Sequence, residues 1–251
     1  MRANNVKRIW RKGDAVVNGW CSIPSSFSAE VLAHQGFDSV TVDLQHGLVH
    51  YDTAVPMLQA ISTTNATPLC RVPWLEEGII MKMLDAGVYG VICPMINTRE
   101  DAERLVSSCR YPPKGYRSYG PARASMYGGA DYAVKANNTV LAIGMIETEA
   151  GLANLDDILQ VKGLDSIYVG PSDLGLALGG IPTLDQTDPK VVKQILHIAK
   201  RCKKFGVKAG IHCASSAYAK KMIKSGYDLV TLSADARILG VAAAAMVKEM
   251  R

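Results

Sequence analysis

Short apolar runs recur along this chain, and stretches with apolar residues every third or fourth position separate them. The runs cover 15–22, 37–44, 67–72, 89–95, 140–146, 166–169, 207–213 and 227–232. Most lack strict polar alternation, which suits strands buried on both faces, as in a parallel sheet covered by helices. The intervening stretches predict helices over 28–34, 51–62, 76–86, 98–109, 189–205, 215–226 and 235–250, with a further one after position 147 carrying Leu152, Leu155, Ile158 and Leu159. Ser25 and Ser28 are N-cap candidates for the first of these, and Ser215 or Ser216 caps a later one. Asp188-Pro189 is a helix start, with Asp as the cap and Pro at the first helical position. Gly36, Gly87, Gly163 and Gly226 each join a helix to a strand, where a glycine takes the left-handed conformation cheaply.

Alternating strand–helix units of this number predict a (β/α)₈ barrel as a single domain over 1–251, close to the roughly 250 residues typical of that fold. A doubly wound open sheet is the alternative. It wants a glycine-rich fingerprint after the first strand, which Asn18-Gly-Trp-Cys-Ser22 does not supply. A short capping helix is expected over 6–12 and another short helix over 131–137. The segments 111–129 and 174–188 show no clear period and read as long loops, which in a compact domain are usually functional or reach another subunit.

Composition narrows the function classes. Hydrophobic residues make up 48% and charged residues 20%, enough for a large core. The net charge of +5 comes from scattered residues, and the clusters at 200–204 and 220–221 read as solvated helix faces. Without a long basic tract interleaved with aromatics, no nucleic-acid partner is expected. No apolar run approaches the roughly 20 residues of a membrane helix, and the polar, basic 1–13 does not read as a signal peptide. Six cysteines without a C-x-x-C pair point to a reducing, cytoplasmic setting without disulfides.

Polar chemistry gathers at the ends of the predicted strands. Asp43 and His46 follow the second, Arg71 ends the third, Glu147 follows the fifth, Asp173 follows the sixth, and His212 lies near the end of the seventh. The C-terminal rim of a parallel barrel is where such folds place their sites. Glu147 and Asp173 are oxygen ligands suited to a hard cation such as Mg²⁺ or Mn²⁺. Taken singly, Glu147 is equally readable as a first-turn helix acid and Asp173 as an N-cap; Glu149 is better read as a helix acid and His50 as surface. Arg71 is placed to stabilise an enolate oxygen. Asp43 lies close enough along the chain to orient the His46 imidazole for proton transfer. Backbone N–H groups of Ser172 and Asp173 are candidates to bind a substrate carboxylate. On residue type alone, Trp20 and Trp74 read as packing.

Gly36-Phe-Asp, Asp43-Leu-Gln-His46, Arg71-Val-Pro-Trp74, Arg110-Tyr-Pro-Pro-Lys-Gly-Tyr-Arg117, Ile146-Glu-Thr148, Ala153-Asn-Leu155 and Gly170-Pro-Ser-Asp173-Leu174 together resemble the HpcH/HpaI aldolase family of metal-dependent class II pyruvate aldolases. The likeness runs from Gly19-Trp20 to the last helix. It implies a (β/α)₈ barrel assembled as a homo-oligomer, trimer or hexamer, that binds Mg²⁺, Mn²⁺ or Co²⁺. The implied reaction is reversible aldol cleavage of a 4-hydroxy-2-oxo acid to pyruvate and an aldehyde. Carried over, Glu147 and Asp173 are metal ligands and Arg71 contacts the keto or enolate oxygen. His46, helped by Asp43, moves protons through a metal-linked water, Asp85 from a neighbouring subunit supports His46, and Trp20 lines the aldehyde side. No Schiff-base lysine is required, with Lys208 the strand lysine to exclude.

The chain departs from the family pattern at three places. Met145 stands where many relatives have Gln, Asp43-Leu-Gln-His46 replaces Asp-Gly-Glu-His, and His212 occupies a position that is commonly apolar. A different aldehyde preference is therefore expected, with His212 a substrate-binding residue. Two rivals remain: a lyase resembling the citrate lyase β subunit or malyl-CoA lyase, which acyl-CoA dependence would separate, and a non-catalytic barrel subunit.

Overall fold

In the computed structural model, which describes residues 1–251, every strand pairs in parallel with the next in sequence, and the last returns to the first. The open-sheet alternative is thereby excluded. Helix α1 (Asn5–Lys12) precedes β1 (Val16–Cys21), α2 (Ser26–Ala33), β2 (Ser39–Asp43), α3 (Tyr51–Ile61), β3 (Thr67–Arg71), α4 (Glu77–Asp85) and β4 (Gly90–Cys93). Three helices follow, α5 (Arg99–Ser108), α6 (Ala122–Gly128) and α7 (Tyr132–Thr139), before β5 (Leu141–Ile146). Then come α8 (Glu149–Ala153), α9 (Leu155–Leu159), β6 (Ser166–Val169), α10 (Pro171–Ala177) and α11 (Pro189–Phe205). The chain ends with β7 (Lys208–Cys213), α12 (Ser216–Lys224), β8 (Leu229–Leu232) and α13 (Asp235–Glu249).

The strands form where expected, to within a residue or two at their ends. Two helices arise in segments whose sequence shows no period and predicts loops. α10 starts on Gly170-Pro171, with Pro at its first position. α6 is seven residues long, too short for a period to be visible in the sequence. The single helix expected after Glu147 is two, divided at Asn154.

Strand side chains alternate between two cores. Val40, Val42, Cys70, Val91, Ala142, Ile146, Ile167 and Ile211 face the helices. Trp20, Leu69, Ile92, Leu141, Ile143, Met145, Tyr168 and Leu229 fill the barrel interior. Val6 and Trp10 of α1 belong to the inner cluster, and Trp10 Nε1 donates to the Asp228 carbonyl at 2.9 Å. α1 thus plugs the N-terminal end and leaves the mouth at the strands' C-terminal ends. Beneath the mouth lies a polar layer. Asn18 Nδ2 donates to Thr41 Oγ1 (3.0 Å) and Thr231 Oγ1 (2.9 Å), its Oδ1 accepts from Ser39 Oγ (2.7 Å), and the Tyr168 hydroxyl donates to Thr231 Oγ1 (2.6 Å). Each buried group has a partner, so the layer holds β1, β2, β6 and β8 in one arrangement.

α13 leaves the helical ring. Asp235 at its first turn is buried and accepts from Ser22 N (2.7 Å), Ser22 Oγ (2.9 Å) and Ser28 Oγ (2.8 Å). Beyond it every side chain is exposed, including Ile238, Leu239, Val241, Met246 and Val247. Phe27 and Val31 of α2 are likewise exposed.

Candidate active site at the barrel mouth

Register makes Asp43 and Arg71 neighbours on β2 and β3. Arg71 Nε donates to Asp43 Oδ1 at 2.8 Å and Nη2 to Oδ2 at 2.6 Å, a bidentate pair. Trp20 Nε1 donates to the same carboxylate at 3.1 Å, and the Arg71 guanidinium carbon lies 4.9 Å from the centre of the Trp20 ring. Burial opposes ionisation of Asp43, but the hydrogen bonds and charge of Arg71 outweigh it, and the carboxyl is held below its ordinary range. Arg71 Nη1 has no hydrogen-bond partner within the chain.

One expectation is corrected here. Asp43 does not hold the His46 imidazole. Its oxygens are occupied by Arg71 and Trp20 and by the backbone N–H groups of Gln45 (3.1 Å) and His46 (3.3 Å). Strand alternation turns Asp43 into the barrel, whereas His46 lies past the strand end and is exposed at the rim. Asp43 is therefore a positioning group for Arg71 and for the turn that carries His46.

Glu147 follows β5 and is buried, 4% exposed. Its Oε1 accepts from Met95 N at 2.9 Å, and Met95 adopts a left-handed φ of 57°. A Cβ at Gly170 would sit 2.4 Å from Glu147 Oε2, so only glycine leaves room for the carboxylate. Burial foremost, then the negative charge of Asp173, push the Glu147 carboxyl up to about 7 against the pull of the Met95 N–H and Arg71. Asp173 itself is exposed in the first turn of α10. Gly170 offers that turn no side-chain cap, and the Ser172 and Asp173 N–H groups have no partner within the chain.

These residues fit a hard divalent cation. Two carboxylates of like charge lie close enough to repel, one of them buried, and a cation relieves both costs. No group of three His, Cys, Asp or Glu side chains converges. A hard cation here would meet two carboxylates of the chain and would have positions left over, a ligand count that suits Mg²⁺-type ions. If Glu147 holds the cation, Gly170→Ala is expected to weaken Mn²⁺ binding about tenfold or more, because its methyl would displace Oε2; titration calorimetry reads the loss, with an unchanged circular dichroism spectrum as the control.

Trp20, Asp43, His46, Arg71, Ser172, Asp173 and His212 line one cavity of about 290 Å³, together with Met145, Tyr168 and Leu184. Met145 is buried and brings a thioether without a donor. The His212 ring meets Trp20 edge-on at 4.9 Å. Burial foremost, then the Arg71 charge, push His212 down to about 4, so its imidazole stays neutral near pH 7. Asp85 is not in this cavity. It ends α4, at the opposite end of the barrel, and pairs with Arg117 Nη2 at 2.7 Å. Lys208 begins β7 at the closed end and pairs with Asp228 at 2.7 Å, which removes it as a Schiff-base candidate. Glu149 opens α8, as a helix acid would.

Three contributors escaped the sequence reading. Tyr168 has the inward phase of β6 and was findable from strand alternation. Leu184 comes from a connection without a period. Met95 acts through its backbone N–H, which leaves no mark on residue type.

The profile of the HpcH/HpaI aldolase/citrate lyase family matches residues 20–240. The chain is 40% identical to the hydroxypyruvate/pyruvate aldolase of Rhizorhabdus wittichii over 99% of both chains. It is 36% identical to the 5-keto-4-deoxy-D-glucarate aldolase of Escherichia coli, covering 86% of this chain and 84% of that one. Among solved structures, a HpcH/HpaI aldolase/citrate lyase family protein from Burkholderia cenocepacia superposes with a TM-score of 0.92 at 31% identity, covering 99% of this chain and 100% of that one.

Proposed function

The chain belongs to the HpcH/HpaI aldolase/citrate lyase family and is an aldolase, a carbon–carbon lyase; on that footing we propose that the barrel mouth reversibly cleaves a 4-hydroxy-2-oxo acid to pyruvate and an aldehyde. The observation that carries this assignment is the pairing of two carboxylates, Glu147 and Asp173, with an Arg71 whose Nη1 is still free. Glu147 and Asp173 would hold Mg²⁺ or Mn²⁺, with Co²⁺ a substitute, and the bound cation supplies Lewis-acid polarisation of the 2-oxo acid.

The rest is done by the chain. The N–H groups of Ser172 and Asp173 hold the substrate carboxylate. His46, at the rim, takes the proton of the 4-hydroxyl as the C3–C4 bond breaks. The bonding pair moves onto the three-carbon fragment, and Arg71 Nη1 donates to the C2 oxygen where charge develops. Asp43 and Trp20 hold the guanidinium in place beforehand, so little reorganisation accompanies the step. Return of a proton to C3 gives pyruvate. In D₂O, pyruvate with Mn²⁺ and no aldehyde should exchange its methyl hydrogens, seen by proton NMR. No exchange above a protein-free control would reject the assignment.

The working unit is a homo-oligomer, in size a trimer or hexamer. α13 presents an apolar surface to water, and so does α2 at Phe27 and Val31; a second copy is the occupant that covers both. Asp85 of a neighbouring copy then supports His46. Removing residues 236–251 is expected to yield monomers in sedimentation, whereas the intact chain sediments as the assembly. Six buried thiols without a disulfide accord with a cytoplasmic location.

A further inference from the structure

Most of the mouth is built on strand ends, but Leu184 reaches the cavity from the connection between α10 and α11. This connection contains no helix or strand, and two adjacent side chains pin it. Asp185 Oδ1 accepts from Ala214 N at 2.7 Å and Oδ2 from Ser215 Oγ at 2.6 Å, at the junction of β7 and α12. Gln186 is buried, 2% exposed. Its Nε2 donates to the carbonyls of Pro171 (3.1 Å), Ile181 (3.0 Å) and Thr183 (3.0 Å). Two N–H groups thus serve three carbonyls, two within the connection and one in the first turn of α10. That helix lies directly against the amide: a Cβ at Gly175 would sit 2.6 Å from Gln186 Nε2 and 2.8 Å from the Ile181 oxygen.

Pro171 immediately precedes Ser172 and Asp173. α10 has only seven residues, and its cap position makes no side-chain hydrogen bond. A helix this short has little stability of its own, so what holds its first turn comes from outside it. We propose that Gln186 is a positioning residue for the barrel mouth: its amide fixes the first turn of α10, and with it the Asp173 carboxylate and the N–H groups of Ser172 and Asp173. This rests on the metal and aldolase assignments above. Without the amide, three carbonyls lose a donor and the turn is free to shift, and groups that orient a metal ligand are typically worth about ten- to a hundredfold in metal affinity.

The test titrates MnCl₂ into the metal-free enzyme by calorimetry. Gln186→Met keeps the volume and loses both donors, and should weaken Mn²⁺ binding about tenfold or more. Gly175→Ala pushes on the amide from the other side and should weaken it in the same direction with Gln186 intact. Trp10→Phe removes the hydrogen bond to Asp228 at the closed end; it should lower Tm and leave Mn²⁺ affinity within about twofold. At saturating Mn²⁺, methyl exchange in Gln186→Met should show a KM for pyruvate raised about tenfold and kcat within about threefold, because Arg71 and Glu147 stay in place. A Gln186→Met enzyme that behaves like Trp10→Phe, melting lower with Mn²⁺ affinity and KM unmoved, would overturn the proposal. If that variant does not fold, unchanged affinity in Gly175→Ala does so instead. Wild type that binds Mn²⁺ as both variants do removes the role of Gln186 alone, whereas wild type that binds no Mn²⁺ removes the metal assignment and this inference with it.

Discussion

Glu147→Gln is expected to abolish turnover, by about 10³-fold or more, and yet to stabilise the metal-free protein above pH 7. The Gln keeps an oxygen to accept from Met95 N and loses the buried negative charge. In the fold the Glu147 carboxyl is raised to about 7 from an ordinary 4.5. Between those values the folded state binds the proton that the unfolded chain releases. Metal-free wild type therefore loses stability as pH rises from about 4.5 to 7, by about 3 kcal/mol, and stays at that lower level above it. The variant lacks this loss, so at pH 8 its Tm should exceed that of wild type by several degrees. Mn²⁺ should reverse the order, raising wild type by mass action and leaving the variant unmoved. Thermal unfolding at pH 5 and pH 8, with and without Mn²⁺, reads all four states. A variant that melts lower than wild type at pH 8 without metal would show that this carboxylate is not under repulsion.

Arg71→Lys should cost about 10²- to 10³-fold in kcat although charge is kept. Two of the three guanidinium nitrogens are used on Asp43 and the third is free for the substrate oxygen. A lysine brings one ammonium on a flexible stem and cannot grip both Asp43 oxygens in parallel while reaching the substrate. It also removes the planar group stacked near Trp20. Arg71→Ala goes further and leaves Asp43 ionised and buried with only Trp20 and backbone donors, at a cost of about 3 kcal/mol or more in stability. Methyl exchange of pyruvate should fall in parallel with turnover in Arg71→Lys, because the same oxygen gains charge in both. If exchange were preserved while turnover fell, Arg71 would act on the aldehyde rather than on the three-carbon fragment.

What could be read in advance depended on how local the determining interactions are. α11 begins at Pro189 after an Asp188 cap and ends at Gly206, all short-range chemistry, and its bounds follow from the sequence. β6 is set by four buried residues between turn signals. The barrel follows because each strand–helix unit buries its strand on both faces. Shorter pieces were harder. α6 and α10 each have seven residues, and α10 carries Gly175 in its interior, so neither has a visible period. Within the site, the rim position of Asp43, Arg71, Glu147 and Asp173 was legible because strand ends are legible. Closeness of Asp43 and His46 along the chain does not become a contact between their side chains. The pleat sends Asp43 inward beside Arg71, and the strand has ended before His46. The course of α13 could not be read at all. Its sequence resembles a helix docked on its own barrel, and nothing local says that it stands apart.

The claim on which the rest depends is that Glu147 and Asp173 share one cation. Crystals soaked in Mn²⁺ and measured for anomalous scattering test it most directly. The account predicts a peak about 2.2 Å from a carboxylate oxygen of each residue, strengthened by pyruvate and absent in Glu147→Gln. A mouth with no peak in wild type, or a peak that survives in Glu147→Gln, would contradict it.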